Sequence, residues 1–334
     1  YAVTGVQTCA LPIYLYEIEA VIDKIEIKDG AYHLILDKTI FYPDMSGGQP
    51  GDHGTINGME VLKTYEEDKK LVHIVKDKPL GGRVKLLINS DRRFDLMQQH
   101  SGQHLISGVL YRLFALDTIG FHLGEDYTTI DVNLPSLSDD EIERAEMLCN
   151  KIIQSNFKIK SYFVSEQQAR LLPVRKLQSV DENIRVVEID GFDFSPCGGT
   201  HLSNTGELGL IKITKTEKYK GNTRIYFICG QRAVNDYFSR FRTTKAIGSA
   251  LSSKDSQIVE RVDILFNERN ALLKENRDLK EKLLIYESDD LLKNAAILGD
   301  SRIISKIFTN LDFKELSYLS SWMIGNNEKL VEIF

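Results

Sequence analysis

Two pairs of residues carry the clearest chemistry in this sequence, because each pair offers two metal-binding side chains four positions apart. The first pair is His100 and His104, in the run HSGQH, and the second is Cys197 and His201, in the run CGGTH. Residues four apart lie on one face of a helix, so the two histidines can bind a single ion. Imidazole and thiolate together favour Zn2+ over cations that prefer oxygen ligands. These four side chains predict one zinc ion per chain.

The residues around the ligands indicate which reactions the site can support. A zinc protease of the HExxH type carries a glutamate next to its first histidine, whereas serine, glycine and glutamine separate the histidines here. Peptide hydrolysis is therefore disfavoured, and an ester is a better substrate. Gly198 and Gly199 leave the backbone beside Cys197 without side chains, which favours close approach of a substrate. A purely structural zinc stays open, since four protein ligands also close a structural site.

At these residues the chain resembles the alanyl-tRNA editing proteins, freestanding relatives of the editing domain of alanyl-tRNA synthetase. Three further blocks carry the resemblance: FYPDMSGGQPGDHG at 41–54, TGELGLIKI at 205–213 and RIYFICGQRA at 224–233. The first is similar to the family's glycine-rich motif, and the other two to its strand pair after the second metal pair. The resemblance covers roughly residues 14–334.

The resemblance implies hydrolysis in trans of tRNA(Ala) mischarged with serine, and also with glycine, while Ala-tRNA(Ala) is spared. A site that hydrogen-bonds the serine hydroxyl disfavours alanine, because alanine leaves buried polar groups unpaired. Two roles for zinc are open: activation of a water for attack on the ester, or anchoring of the substrate's amino or hydroxyl group. Cys197 is a zinc ligand in both, which disfavours a nucleophilic cysteine.

Three side chains are candidates for contact with the aminoacyl group. Gln103 projects beside the first metal pair, while His122 and Thr129 lie in the segment 120–132, whose end alternates like a strand. By the resemblance, we expect the pocket between the zinc and this segment. Each residue also has an ordinary structural interpretation: a solvent-facing Gln103, a His122 that caps a strand end, and a Thr129 chosen as a good strand former.

Two segments are candidates for contact with tRNA. The net charge of -6 argues against a generally basic nucleic-acid binder, but residues 211–224 carry five basic residues against one acid, Glu217, giving +5 - 1 = +4. The basic residues are Lys212, Lys215, Lys218, Lys220 and Arg224. The other segment is the loop of Gly47, Gly48 and Gln49, which we expect to project from its domain toward the tRNA end. A solvated hairpin and a tight turn are the structural alternatives.

The elements that position these residues predict an α+β protein in several domains. Alternating strands and Asp-Gly, Asn-Gly and Gly-Gly turns predict a small antiparallel β-barrel. Its strands are expected at 14–22, 31–36, 60–65, 71–75 and 83–88. Helices are expected at 92–116, carrying the first metal pair, and at 138–156. The expected domains are a barrel at 14–90, an α+β zinc-containing editing domain at 91–245, a coiled-coil helix at 250–290, and at 291–334 the start of a C-terminal α/β domain for dimerisation and tRNA contact.

An apolar stripe supports the coiled-coil helix. Its residues alternate spacings of three and four: Ile258, Val262, Leu265, Leu272, Leu279, Leu283 and Tyr286. Arg269 and Asn276 fill the two remaining core positions, and a core asparagine favours a dimer with fixed register. The stripe is equally suited to packing on the preceding domain.

Composition and the two ends of the chain give further expectations. Residues 1–13 resemble one reading frame of a sequencing-library adapter, so they and Cys9 are excluded from fold reasoning. The C-terminal domain is expected to be truncated. The other cysteines show no disulfide spacing and no run of eighteen apolar residues exists, which predicts a cytoplasmic protein with no membrane span.

Two rivals remain for the function. A fragment of alanyl-tRNA synthetase shares these blocks, and a non-catalytic, zinc-stapled tRNA-binding module shares the metal pairs. A threonyl-tRNA synthetase editing domain is more distant, because it lacks the glycine-rich block.

Overall fold

A computed structural model describes residues 13–175 and 184–334, and the chain divides into two compact units between Ser239 and Arg240. The finer predicted boundaries near residues 90, 245 and 290 remain predictions. The adapter-like segment, including Cys9, lies outside the described residues except for Ile13, which packs against the core of the first unit. Within the described ranges, no helix is long and apolar enough to cross a membrane.

The first unit opens with a closed, antiparallel, six-stranded barrel, as predicted. Its strands are β1 (Glu17–Lys28), β2 (Ala31–Leu36), β3 (Gly54–Ile56), β4 (Met59–Glu67), β5 (Lys70–Val75) and β6 (Arg83–Ile88). They close in the order β1-β2-β5-β4-β3-β6. Every second residue points inward, so Leu34, Ile56 and Leu86 are buried in the barrel core. The sequence did not predict β3, because three residues are too few to display an alternation.

The rest of the first unit combines helices with two antiparallel sheets. Its elements are α1 (Ser90–Phe114), β7 (Thr118–Leu123), β8 (Thr128–Val132), α2 (Asp139–Gln154), β9 (Ile159–Val164), α3 (Glu166–Leu171), β10 (Ile184–Ile189), β11 (Asp193–Pro196), β12 (Ile211–Tyr219) and β13 (Asn222–Cys229), followed by α4 (Gly230–Ala250), which continues into the second unit. The sheets have the orders β12-β13-β8-β7 and β11-β10-β9.

Helix α1 is the central element of this part and carries the first metal pair. Its start is fixed by Asn89, whose side chain accepts a hydrogen bond from the Arg92 backbone N–H. It ends at Ala115, which adopts a left-handed conformation with φ 54°. Residues 96–110 are all buried, so this helix crosses the core instead of lying on the surface. The predicted helices at 92–116 and 138–156 are confirmed by α1 and α2, each within two residues.

The second unit contains a long helix and a small α/β part. Its further elements are α5 (Ile258–Lys293), β14 (Ala296–Leu298), β15 (Ser301–Ser305), α6 (Phe313–Asn326) and β16 (Leu330–Ile333). Strands β15 and β16 run parallel on either side of α6 in the chain. Their core is formed by Leu284, Ile304, Leu319 and Met323. The apolar stripe of α5 lies outside that core, and its pairing as a coiled coil remains a prediction.

Candidate metal centre

Both metal pairs meet at one buried point of the first unit. His100 and His104 come from α1, whereas Cys197 and His201 lie in the loop that follows β11. The ligand atoms of the four residues all lie within 4.8 Å of one another, and His100 Nε2 is 3.3 Å from Cys197 Sγ. A tetrahedral zinc site with bonds of about 2.0–2.3 Å separates its ligands by roughly 3.3–3.8 Å. The cluster can therefore bind one metal ion.

The chemistry of the cluster fits a metal. Neither ring nitrogen of His104 or His201 has a hydrogen-bond partner of good geometry among the described residues, although both rings are buried. An unpaired buried polar atom costs about 1–3 kcal/mol, and coordination would remove that cost. Burial lowers the pKa of His104 to about 3 and lowers the pKa values of His100 and His201 well below the ordinary value. The imidazoles are therefore neutral, as metal ligands must be.

Gln49, from the glycine-rich segment of the barrel, contacts the third imidazole, that of His100. Its Oε1 lies 2.9 Å from His100 Nδ1 and also accepts a 3.1 Å hydrogen bond from the backbone N–H of Thr200. Its Nε2 donates to the Thr200 hydroxyl at 2.7 Å. Since an N–H can only donate, the Thr200 backbone fixes which amide atom is oxygen. The proton of His100 is therefore on Nδ1, and Nε2 is left with its lone pair facing the cluster.

The glycine-rich loop lies differently from the prediction. It does not project from the barrel but packs on the metal centre as a short 3-10 turn, Ser46–Gly48. A Cβ on Gly47 would lie 2.9 Å from Gly199 N, and one on Gly48 would lie 2.6 Å from the Phe121 ring, so only glycine fits. Gln49 is fully buried, which removes its side chain from any tRNA surface. Gly47 lines the cavity described below, and its contact with the tRNA end remains a prediction.

The two glycines after Cys197 have different surroundings. A Cβ on Gly199 would lie 2.1 Å from His100 Cε1, whereas one on Gly198 would meet no atom of the described residues within 4 Å. Gly199 is therefore required by its packing against the candidate ligand His100, while the substrate approach expected at Gly198 remains a prediction. Arg185 fixes this loop, because its Nη1 donates to the carbonyl oxygens of Cys197 and Gly199 at 2.7 and 3.0 Å.

A cavity of about 390 Å³ leads to the cluster. It is lined by the glycine-rich loop, α1, β7 and the segment around the second metal pair: Gly47, His100, Gln103, His104, Thr118, Ile119, Gly120, Phe121, Arg175, Ser195, Pro196, Cys197 and Gly198. The start of the predicted segment 120–132 forms one wall, which agrees with the expected position of the pocket.

Gln103 lies in this cavity, in a chain of polar groups. Its Nε2 donates to Ser107 Oγ at 3.0 Å, and the Thr118 hydroxyl donates to the same oxygen at 2.7 Å. Gln103 is only 6% exposed, which excludes its solvent-facing interpretation. Gln103 and Thr118 thus form a small polar wall of the cavity and are joined through the buried Ser107.

His122 and Thr129 do not line this cavity. They face each other across β7 and β8, while Phe121 pairs with Ile130 in the adjacent row. Neighbouring residues of a strand point to opposite faces, and Phe121 stacks on His100 with 5.6 Å between ring centroids. The side chains of His122 and Thr129 therefore lie on the sheet face turned away from the cluster. Thr118 and Phe121 line the cavity in their stead.

The basic segment is less positive than its own residues suggest. Three of its five cations form ion pairs: Lys212 with Glu146, Lys215 with Glu217, and Arg224 with Asp131. Two of those acids lie outside the segment, so the local balance is +5 - 3 = +2. Lys218 and Lys220 have no ion pair among the described residues. The predicted patch is reduced to the tip of the hairpin.

Sequence reasoning missed two contributors to the site and assigned a third to a different role. Arg175 reaches the cavity from outside the predicted motifs and forms a bidentate ion pair with Asp193. Phe121 lines the cavity and is 37% exposed. Gln49 was singled out, but for tRNA contact. The one available signal was the glycine-rich block itself, whose length marks it as more than a turn.

Known proteins resemble this chain over most of its length. A model of the threonyl and alanyl tRNA synthetase second additional domain matches residues 184–226, from β10 to β13. The alanyl-tRNA editing protein AlaX-L of Pyrococcus horikoshii is 34% identical over 329 residues, covering 95% of this chain and 81% of that protein. The alanyl-tRNA editing protein Aarsd1 of Mus musculus is 34% identical over 82% of this chain and 67% of its own length. An alanine–tRNA ligase of Pyrococcus abyssi is also 34% identical, over 76% of this chain but 30% of the ligase.

Proposed function

Because this chain belongs to the family of alanyl-tRNA editing proteins, we propose that it uses zinc to hydrolyse Ser-tRNA(Ala) and Gly-tRNA(Ala) while sparing Ala-tRNA(Ala). As a member of that family it is an aminoacyl-tRNA deacylase. The observation that carries the proposal is the buried cluster of three histidines and one cysteine at the end of the cavity.

His100, His104, Cys197 and His201 are the residues that would hold the metal. A zinc ion bound there would either activate a water for attack on the ester or anchor the substrate's amino or hydroxyl group. The neutral imidazoles present lone pairs that can bind such an ion. An ester suits this site, since its alkoxide leaves more easily than an amine, and among the described residues that line the cavity there is no carboxylate that could act as a strong general base.

The cavity is larger than an aminoacyl group needs. A volume of about 390 Å³ is large for a seryl group, which has only six non-hydrogen atoms. We assign the remaining space to the terminal adenosine of the tRNA. Phe121 and Ile119 offer exposed apolar surface for its base at the mouth, and stacking on an aromatic ring is a common way to hold an unpaired base.

Selectivity is assigned to the polar wall formed by Gln103 and Thr118, which are joined through the buried Ser107. A serine hydroxyl can hydrogen-bond to this wall, and glycine is small enough to leave room for a water there. Alanine places a methyl group against the wall and leaves a buried polar group without a partner, which costs about 1–3 kcal/mol. The wall therefore favours serine by hydrogen bonding, not by size.

Contact with the rest of the tRNA is assigned to the hairpin tip that carries Lys218 and Lys220. Both lysines are near the β12–β13 turn and are free of ion pairs among the described residues. Each phosphate contact by a lysine releases counterions, so this binding weakens with salt.

A zinc-stapled, non-catalytic tRNA-binding module is the competing function, favoured by one observation: the cluster offers four protein ligands, as in structural zinc sites. The two functions differ in the effect of removing one ligand. We would measure release of serine and alanine from Ser-tRNA(Ala) and Ala-tRNA(Ala) by wild type, Cys197→Ala and Cys149→Ala, with zinc content determined for each.

The expected result is selective release of serine by wild type, lost in Cys197→Ala. Cys149→Ala is the matched control, because Cys149 is a buried core cysteine outside the cluster, and it should retain zinc and activity. A folded, zinc-loaded wild type that binds tRNA(Ala) but releases no serine would contradict the deacylase proposal and leave the binding module.

A further inference from the structure

We infer that Gln49 is a positioning residue of the metal site, so that the barrel's glycine-rich segment completes a centre whose four ligands all come from elsewhere. The inference rests on the proposed function in one respect, the identity of the metal as zinc. It changes the role of the barrel from a tRNA-facing module to a part of the catalytic centre.

The hydrogen bonds of Gln49 support this role. Its amide is fixed by Thr200 at both ends, with 3.1 Å from Thr200 N to Oε1 and 2.7 Å from Nε2 to Thr200 Oγ1. A fixed Oε1 then presents a single acceptor to His100 Nδ1 at 2.9 Å. Metal-binding histidines usually donate their other N–H to such an acceptor, which sets the tautomer and the orientation of the ring.

The position of Gln49 links the two metal pairs. It binds His100, from the first pair, and Thr200, which directly precedes His201 of the second pair. Gln49 therefore sets the spacing between α1 and the loop after β11. Among the described residues, Gln49 is the side chain outside the cluster that hydrogen-bonds a candidate ligand imidazole, whereas the ring nitrogens of His104 and His201 have no side-chain partner.

The packing of the loop restricts Gln49 further. Gly47 lies against Gly199 and Gly48 against Phe121, with no room for a Cβ at either. Gln49 is fully buried in the fold. The backbone that positions the Gln49 side chain beside His100 is therefore itself packed against Gly199 and Phe121.

The test compares three variants of the full chain. Gln49→Met removes the acceptor at nearly constant volume, and Gln49→Glu returns an acceptor oxygen at the same position. Gln99→Met is the matched control, because Gln99 is another fully buried glutamine, bound to the backbone of Cys229 and not to a metal ligand. Zinc affinity is measured by competition with a chromophoric chelator, alongside circular dichroism and tRNA binding.

We expect Gln49→Met to bind zinc about 10–100-fold more weakly, Gln49→Glu to recover most of that loss, and Gln99→Met to keep wild-type affinity even if its melting temperature falls. Binding of tRNA should be unchanged in Gln49→Met. Wild-type zinc affinity in a folded Gln49→Met, or weakened tRNA binding with unchanged zinc affinity, would overturn the inference.

Two further outcomes are also decisive. If Gln49→Met fails to fold, Gln49→Glu decides: near wild-type zinc affinity supports the inference, and affinity as low as that of a ligand variant overturns it. Failure of the proposed function gives a different result. A wild type that binds zinc but releases no serine would contradict the proposed activity, while the comparison of zinc affinities among the variants would still stand.

Discussion

Two neighbouring glycines at the candidate metal centre, Gly198 and Gly199, differ in the space around them. Gly199 has no room for a side chain, since its Cβ would lie 2.1 Å from the His100 ring, while Gly198 faces open space in the cavity. We predict that Gly199→Ala displaces His100 and loses most bound zinc. Gly198→Ala should retain zinc and lose deacylation of Ser-tRNA(Ala), because its methyl group enters the space left for the substrate. Zinc content and deacylation rate check both; equal zinc content in the two variants would contradict this account.

Gln103 carries the second residue-level prediction. Gln103→Met keeps the length of the side chain but removes the polar group that we assign to the serine hydroxyl. Loss of one such hydrogen bond costs about 1.5 kcal/mol, or roughly tenfold in rate. Single-turnover deacylation of Ser-tRNA(Ala) should fall by that factor, while zinc content stays constant. Gln98→Met, on the same helix but bonded to the Glu207 carbonyl, should leave the rate unchanged.

At the scale of elements, the barrel is fastened to α1 by a buried ion pair. Arg93 and Asp52 are almost fully buried, and Asp52 also accepts a 2.6 Å hydrogen bond from Tyr42 N at the start of the glycine-rich segment. Arg93 donates further to the Ile40 carbonyl at 2.7 Å. The pair therefore sets where the segment enters the metal centre.

Removing one partner of this pair should be costly. Asp52→Asn leaves an uncompensated guanidinium in the interior, and we predict a loss of about 3–5 kcal/mol in the free energy of unfolding. Urea denaturation measures it. Asp190→Asn breaks the exposed pair with Lys160 and should change stability by less than about 1 kcal/mol. Similar effects from the two variants would show that the buried pair does not fasten the barrel.

The barrel also contains a buried histidine that predicts a pH dependence. His73 is fully buried between Thr39 and the Leu34 carbonyl, and burial lowers its pKa to about 4. In the unfolded chain its pKa is about 6.5, so between these values the unfolded state binds more protons. Stability contributed by neutral His73 is thus present above pH 6.5 and is lost as pH falls toward 4.

We predict that His73→Gln, which cannot take up this proton, shows a shallower fall in unfolding free energy between about pH 6.5 and 4 than wild type. The metal-site histidines are the same in both proteins, so the difference in slope isolates His73. Urea denaturation at several pH values gives the slopes. Parallel curves would mean that His73 does not titrate across folding.

At the scale of the whole molecule, the metal centre is assembled from three distant parts of the chain. The clustered side chains could be predicted from sequence because each pair is local: His100 and His104 share one face of one helix. The barrel and the two main helices were predictable for the same reason, since alternation and capping are local patterns. Contacts across long separations gave no such signal. Gln49 and His100 are 51 residues apart and belong to different domains of the prediction.

The errors in the prediction have the same physical origin. His122 lies on the face of β7 that is turned away from the cavity, one residue from the cavity-lining Phe121. The face that a strand residue occupies is fixed by pairing with the neighbouring strands, and β7 contains an irregularity between Thr118 and Gly120. Lysines and arginine after the second metal pair were counted without Glu146 and Asp131, which lie far away in sequence but beside them in the fold. A charge balance counted along the sequence therefore overestimates the positive charge of a surface whose cations pair with acids from other segments.

The most direct test of the central claim is reconstitution of metal-stripped protein with zinc, followed by deacylation of Ser-tRNA(Ala) and Ala-tRNA(Ala) at each step. The account predicts that serine release rises with added zinc and saturates at one ion per chain, while alanine release stays at the background level. Serine release that is independent of zinc, with folding intact throughout, would contradict it.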